Sequence, residues 1–203
     1  MDRFAAIEAE VARIAEVAPA GYFLALRIRG TAPLMAFKTY PQAWVDRYME
    51  NGYLLRDPIT TWAMTIGGTI RWSSPLLPDP FRVLRQAAEY GLNYGASVAH
   101  GPIGALTICS FGRSDRELTN PEIAQVKELV IALHERTALP KTLDAEQKEI
   151  LAAMAQGLAP EGLAKRLGLA PEVARARFTG VEEALFAKSA DEAVRRARDY
   201  KLI

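Results

Sequence analysis

A chain of 203 residues that is 50% hydrophobic and 24% charged has the composition of a globular protein, with room for one large domain or for a medium domain and a small one. A net charge of +1 announces no nucleic-acid partner by composition, and the single Cys109 excludes an internal disulfide. His100 and His134 stand far apart with no carboxylate or cysteine cluster at ligand spacing, and no apolar run approaches the roughly 20 residues of a membrane span, so neither a metal nor a membrane is expected.

From the N-terminus, Met1 to Phe4 opens an amphipathic pattern rather than a signal peptide, which makes the cytoplasm the expected location. Phe4, Ile7, Val11, Ile14 and Val17 keep helical spacing up to the break at Pro19-Ala20-Gly21. Tyr22 to Ile28 and Leu34 to Thr39 have strand composition. Pro41 suits the first position of a helix over Gln42 to Glu50, which Asn51-Gly52 breaks. Asp57-Pro58 begins a short helix through Met64, and Thr69 to Trp72 is strand-like. Asp79 and Pro80 look like the N-cap and first residue of a helix to Tyr90. Ser97 to His100 and Ala105 to Phe111 are two strands around a turn at Gly101-Pro102-Ile103-Gly104. Thr119 or Asn120 caps a long helix with an apolar stripe of Ile123, Val126, Val130 and Leu133, which serves either as a dimer contact or as the face packed on its own sheet. This order predicts an α+β domain, an antiparallel sheet with helices on its faces.

Within that domain, aromatics and one aspartate concentrate between Tyr40 and Trp72, as Tyr40-x3-Trp44-x3-Tyr48, then Tyr53, Asp57-Pro58 and Trp72. On a helix, Tyr40, Trp44 and Tyr48 share one face. Flat apolar rings with polar tips, beside a carboxylate acceptor, suit a small ligand that has an apolar part and an amide. The alternative is ordinary core.

The texture changes at Leu139-Pro140-Lys141-Thr142. The organisation predicted is a domain over 1–139, a linker over 140–142 and an all-α domain over 143–203. Asp144 with Gln147 and Ser189 with Glu192 make capping-box patterns for a first and a fourth helix, Pro160 opens a second through Leu167, and Pro171 opens a third after Gly168-Leu169-Ala170. Two short helices around a glycine-containing turn are the mark of a helix-turn-helix, with the Pro171 helix as recognition helix. A helical packing or dimerisation module fits the same spacing.

Taken together these motifs resemble the LuxR family of quorum-sensing transcription regulators, in both domains and in family order. Trp44-x3-Tyr48, Asp57-Pro58 and Trp72 match the family's autoinducer-binding pattern, Tyr40 matches a ligand-contacting position, and Gly91-Leu92-Asn93-Tyr94-Gly95 and Gly104-Ala105-Leu106-Thr107 look like its glycine segment and hydroxyl-bearing strand. Ala174-Arg175-Ala176-Arg177-Phe178 and the closing Lys201-Leu202-Ile203 resemble the DNA-binding part. The resemblance implies an N-acyl-homoserine lactone as effector, with no further cofactor. Trp44 would donate to the lactone carbonyl, Asp57 would accept from the amide N–H, Tyr48 or Thr107 would donate to the acyl carbonyl, and Tyr40 and Trp72 would enclose the acyl chain. It further implies a homodimer on double-stranded DNA through Arg175, Arg177 and Thr179.

The second domain departs from the pattern. Residues 142–203 carry ten Lys and Arg against ten Asp and Glu, Gly162 replaces a family glutamate, and Glu182-Glu183 follow the arginines. These departures fit a ligand-binding antagonist or heterodimer partner of a full regulator. An enzyme acting on acyl lactones is not expected, since no metal cluster and no Gly-x-Ser-x-Gly elbow is present.

Overall fold

A computed structural model describes residues 3–30 and 32–203, so Met1 and Asp2, where the amphipathic start was placed, lie outside the described residues, as does Thr31. The chain divides into two compact units, Met1–Thr137 and Ala138–Ile203.

The first unit is built on a five-stranded antiparallel sheet of order β2-β1-β5-β4-β3, with β1 Gly21–Ile28, β2 Met35–Lys38, β3 Gly68–Arg71, β4 Tyr94–His100 and β5 Leu106–Arg113. Leu24 stands opposite Cys109 and Ser97 opposite Ser110. One face is covered by α1 Arg3–Ala12, α2 Ile14–Val17 and α6 Asn120–Arg136. Ile123, Val126, Val130 and Leu133 are all buried within this chain. The α6 stripe therefore packs on its own sheet and is not available as a dimer contact. Thr119 and Glu122 form a full capping box at its start. The other face carries α3 Gln42–Glu50, α4 Pro58–Thr65 and α5 Val83–Ala88.

The α5 helix starts later than its sequence predicts. Arg82 takes a left-handed conformation with φ 57°, and the Asp79 carboxylate accepts the amides of Val83 at 2.8 Å and Leu84 at 2.9 Å. Asp79 does cap the helix, but across the Pro80-Phe81 turn rather than from the adjoining residue.

The second unit is four helices, α7 Ala145–Ala155, α8 Pro160–Leu167, α9 Pro171–Ala184 and α10 Ala190–Asp199, around Ile150, Leu151, Met154, Leu163, Phe178 and Leu185. Gly168, at φ 65°, ends α8 in the left-handed conformation that glycine adopts without strain. Asp144 and Gln147 cap α7 reciprocally, whereas at α10 Ser189 takes the Glu192 amide and the Glu192 carboxylate turns back to the amide of Lys188.

Candidate functional site

The aromatic run gathers on the helical face opposite α6. Trp44, on α3, is buried and ringed by Tyr48 at 5.8 Å edge-on, Tyr53 at 6.0 Å and Tyr90 at 5.6 Å. Aromatic pairs at such separations contribute about 0.5–1.5 kcal/mol each beyond their buried area. Tyr40 precedes α3 instead of sharing its face, and its hydroxyl donates across to the Ser110 carbonyl at 2.8 Å.

Asp57 has two tasks. Oδ1 accepts the Ile59 amide at 2.8 Å and so caps α4, while Oδ2 accepts the Tyr48 hydroxyl at 2.9 Å. Burial pushes its carboxyl pKa up, against the pull of the Ile59 and Tyr48 hydrogen bonds. Burial, and then the neighbouring Asp57, raise the Tyr48 phenol in turn. The Tyr48 proton is thus engaged by the protein itself. The Tyr53 hydroxyl is likewise engaged, donating to Gln86 Oε1 at 2.5 Å. The Trp44 indole N–H, in contrast, meets no acceptor among the described residues.

Trp72 closes the other end of the cluster. Its ring lies across Gly95 and Gly112 of the central strands, where any side chain on Gly95 would collide with it. Its Nε1 donates to Ser97 Oγ at 3.0 Å, and Ser97 Oγ lies 2.8 Å from Ser110 Oγ. Trp62 packs nearby with Ile59, Ile70 and Ile108.

Tyr40, Trp44, Tyr48, Asp57 and Trp72 are therefore brought together as the sequence leads one to expect, and Thr107 is not. Alternation along β5 sends Thr107 to the α6 face, where its hydroxyl accepts the Arg27 amide at 3.1 Å and bonds His134 Nδ1 at 2.8 Å. Among the strand hydroxyls, Ser97 and Ser110 lie on the aromatic face. Sequence reasoning passed over both, and also Tyr90. The available signal was a serine at alternating positions inside two otherwise apolar strands.

In the second unit Arg175, Arg177 and Thr179 are exposed on α9, whose other side is anchored by Ala174, Phe178 and Val181. Both arginines are already paired within the unit, Arg175 with Glu161 at 2.9 Å and Arg177 with Glu146. No helix among the described residues is long and apolar enough to cross a membrane.

Comparison with known proteins identifies the family of the first unit. The family model of the autoinducer binding domain matches residues 7–137. The transcriptional activator SolR of Ralstonia nicotianae is 29% identical over 139 residues, a stretch that covers 60% of this chain and 58% of SolR. The chain spans about half the length of the curated relatives it matches. Among solved structures, Escherichia coli SdiA has a TM-score of 0.54 at 21% identity, covering 97% of this chain and 90% of its own. CepR2 of Burkholderia cenocepacia, an N-acylhomoserine lactone dependent LuxR family factor, scores 0.52 at 23% identity over 66% of this chain and 82% of its own. The two structural likenesses are of fold.

Proposed function

This chain belongs to the autoinducer-binding domain family, and from that premise we propose that it is a receptor for an N-acyl-homoserine lactone that regulates transcription as a dimer on DNA. The observation that carries the reading is the pairing, on one aromatic wall, of a donor without a partner and an anchored acceptor. Trp44 offers an indole N–H that the described residues leave unmet, and Asp57 is held in place by its helix cap and by Tyr48. A lactone carbonyl and an amide N–H complement that pair, and the rings of Tyr40 and Trp72 supply apolar surface for an acyl chain. The reading is supported further by the relatives, SolR being a transcriptional activator and CepR2 lactone-dependent. It makes the protein a receptor rather than an enzyme.

The test is expression of the protein with a mixture of acyl-homoserine lactones, followed by extraction and mass spectrometry. A stoichiometric lactone is expected. Asp57→Asn keeps a good N-cap but turns one acceptor oxygen into an amide donor, so retention is expected to fall at least tenfold, in line with about 1.5–3 kcal/mol for hydrogen bonds to charged groups. Equal retention by variant and parent rejects the assignment of Asp57. An empty, folded parent rejects the lactone.

For the second unit we propose a helix-turn-helix made by α8 and α9, with Arg175, Arg177 and Thr179 toward DNA. A second reading, a lactone-binding antagonist or heterodimer partner with weak DNA binding, is favoured by one observation. Both arginines are tied to glutamates of their own unit, within a segment of zero net charge. Duplex DNA binding by the isolated, lactone-loaded protein separates the two. A specific complex supports the regulator, and its absence, together with capture of a related regulator's subunit, supports the antagonist.

A further inference from the structure

Trp44 is 5% exposed, and the rings of Tyr48, Tyr53 and Tyr90 lie on it. Tyr48 stands on α3 with Trp44 and is fixed by Asp57. The other two rings depend on one segment. Tyr90 lies just past the end of α5 and is carried by it. Tyr53, in the 3-10 turn Tyr53–Leu55 after α3, is buried, and its hydroxyl donates to Gln86 Oε1 on α5. The same oxygen accepts Arg47 Nη2 of α3 at 3.0 Å. Gln86 Nε2 turns back to the carbonyls of Arg82 at 3.2 Å and Phe81 at 3.4 Å, which sets the amide so that Oε1 meets Tyr53 and Arg47. Among the described residues, the side-chain hydrogen bonds that tie residues 73–91 to other elements both end on that oxygen.

We infer that Gln86 is the latch of a flap formed by α5, and that release of its Oε1 uncovers Trp44 and admits the ligand. The identity of that ligand rests on the acyl-lactone reading above, whereas the latch rests on the ties around α5. The helix has six residues, and its buried side chains, Val83 and Ala87, are small. Arg82 and Gly91, at φ 57° and 84°, bound the segment at the element ends where a hinge motion is absorbed. Arg56 adds a distant contact, 5.8 Å from the ring of the exposed Phe81, where a cation–π attraction is weak. While Tyr53 covers Trp44 its buried hydroxyl needs an acceptor, and Gln86 supplies it. When the flap swings, Tyr90 leaves with the chain, and Tyr53 loses the bond that holds its ring against the indole. One side chain thus controls two of the rings over Trp44.

The experiment compares the full chain with Gln86→Leu, which keeps the bulk of the side chain but cannot accept, and with Tyr53→Phe, which removes the donor. Amide hydrogen exchange is measured first, without ligand. In both variants residues 83–90 are expected to exchange about three- to tenfold faster, the scale of one or two neutral hydrogen bonds, while Val126 to Leu133 on α6 exchange as in the parent. The rates of binding and release of N-octanoyl-homoserine lactone are measured next. Gln86→Leu is expected to speed both by about that factor and to leave the Kd within about threefold, because the latch is closed before and after the ligand enters. Parental exchange in both variants overturns the inference, and so does faster exchange spread over the whole first unit, which would make Gln86 a support of the fold. Weaker binding by Gln86→Leu at a parental association rate overturns it too, by placing Gln86 within the site instead of at its entrance. A parent that binds no lactone, with residues 83–90 still loosened in both variants, rejects the lactone reading and leaves the latch over Trp44 standing.

Discussion

The two faces of the central sheet treat their polar groups differently. On the α6 face each of the polar groups described above has its partner inside the protein. Thr107 bonds the Arg27 amide and His134, Arg27 Nε donates to the His134 carbonyl at 2.9 Å, and the Thr137 hydroxyl donates to the Leu133 carbonyl at 2.7 Å. Phe111, Leu24, Leu26, Val130 and Leu133 fill the space between. On the aromatic face Trp44 is buried among Tyr48, Tyr53 and Tyr90, yet its indole N–H meets no acceptor among the described residues. A face with nothing left to satisfy is a core. An unmet donor beside an anchored carboxylate is what the proposed ligand site requires, and this difference, more than hydrophobicity, sets the two faces apart.

The sharpest way to break the comparison is to damage the α6 face and look for an effect on the ligand. Phe111→Ala removes a fully buried ring and is expected to cost about 3–5 kcal/mol of stability, measured by denaturant unfolding. Ligand affinity of the fraction that stays folded should be unchanged; a specific loss would mean that the two faces are not separate.

The next effect is that of pH on the same face. Burial, then the nearby Arg27 and His100, hold the His134 imidazole down at about 4 against an ordinary 6.5. Between those values the unfolded chain takes up a proton that the folded chain refuses. Stability that is complete above pH 6.5 is therefore lost as pH falls toward 4, by on the order of 2–3 kcal/mol. His134→Gln should flatten that part of the stability curve, and an unchanged slope would place the acid sensitivity elsewhere.

On the aromatic face, Gly95→Ala drives a methyl group into the Trp72 ring. The expected cost is about 1–3 kcal/mol in stability, with a loss of lactone affinity larger than that of Phe111→Ala. Smallest of all, Thr107→Ala should cost about 1 kcal/mol in stability and leave ligand affinity as it was. A loss of affinity there would return Thr107 to the site and contradict the face on which the structure places it.

Much of this was legible in the sequence because local chemistry decided it. Pro41, Asp57-Pro58, Thr119, Asp144, Pro160 and Pro171 all mark helix starts where they were expected, since capping and the proline ring act within a turn. The clustering of Trp44, Tyr48 and Asp57 was legible for the same reason, being set by one helix and the cap of the next. Thr107 was not. Both faces of β5 are buried, so its sequence lacks the polar-apolar alternation that would say which residue meets which layer. The Ser97–Ser110 pair was illegible because it depends on the register between two strands, and the start of α5 because Asp79 reaches its amides across a turn. The α6 stripe fitted a dimer as well as a sheet, and only its burial decides between them.

The strand order also governs how the chain assembles. β4 and β5, and separately β1 and β2, close through short connections, and β3 joins β4 through a longer one that carries α5, but the central seam pairs Leu24 with Cys109, and the Tyr40 to Ser110 bond spans the same seam. Loop-closure entropy makes such distant pairing the late and slow event. During synthesis the inner edge of β1 therefore stays open until β5 has left the ribosome, and an open strand edge is a template for aggregation. Yield of intact protein should accordingly respond to the rate of translation, with slower growth at lower temperature favouring the seam over the aggregate.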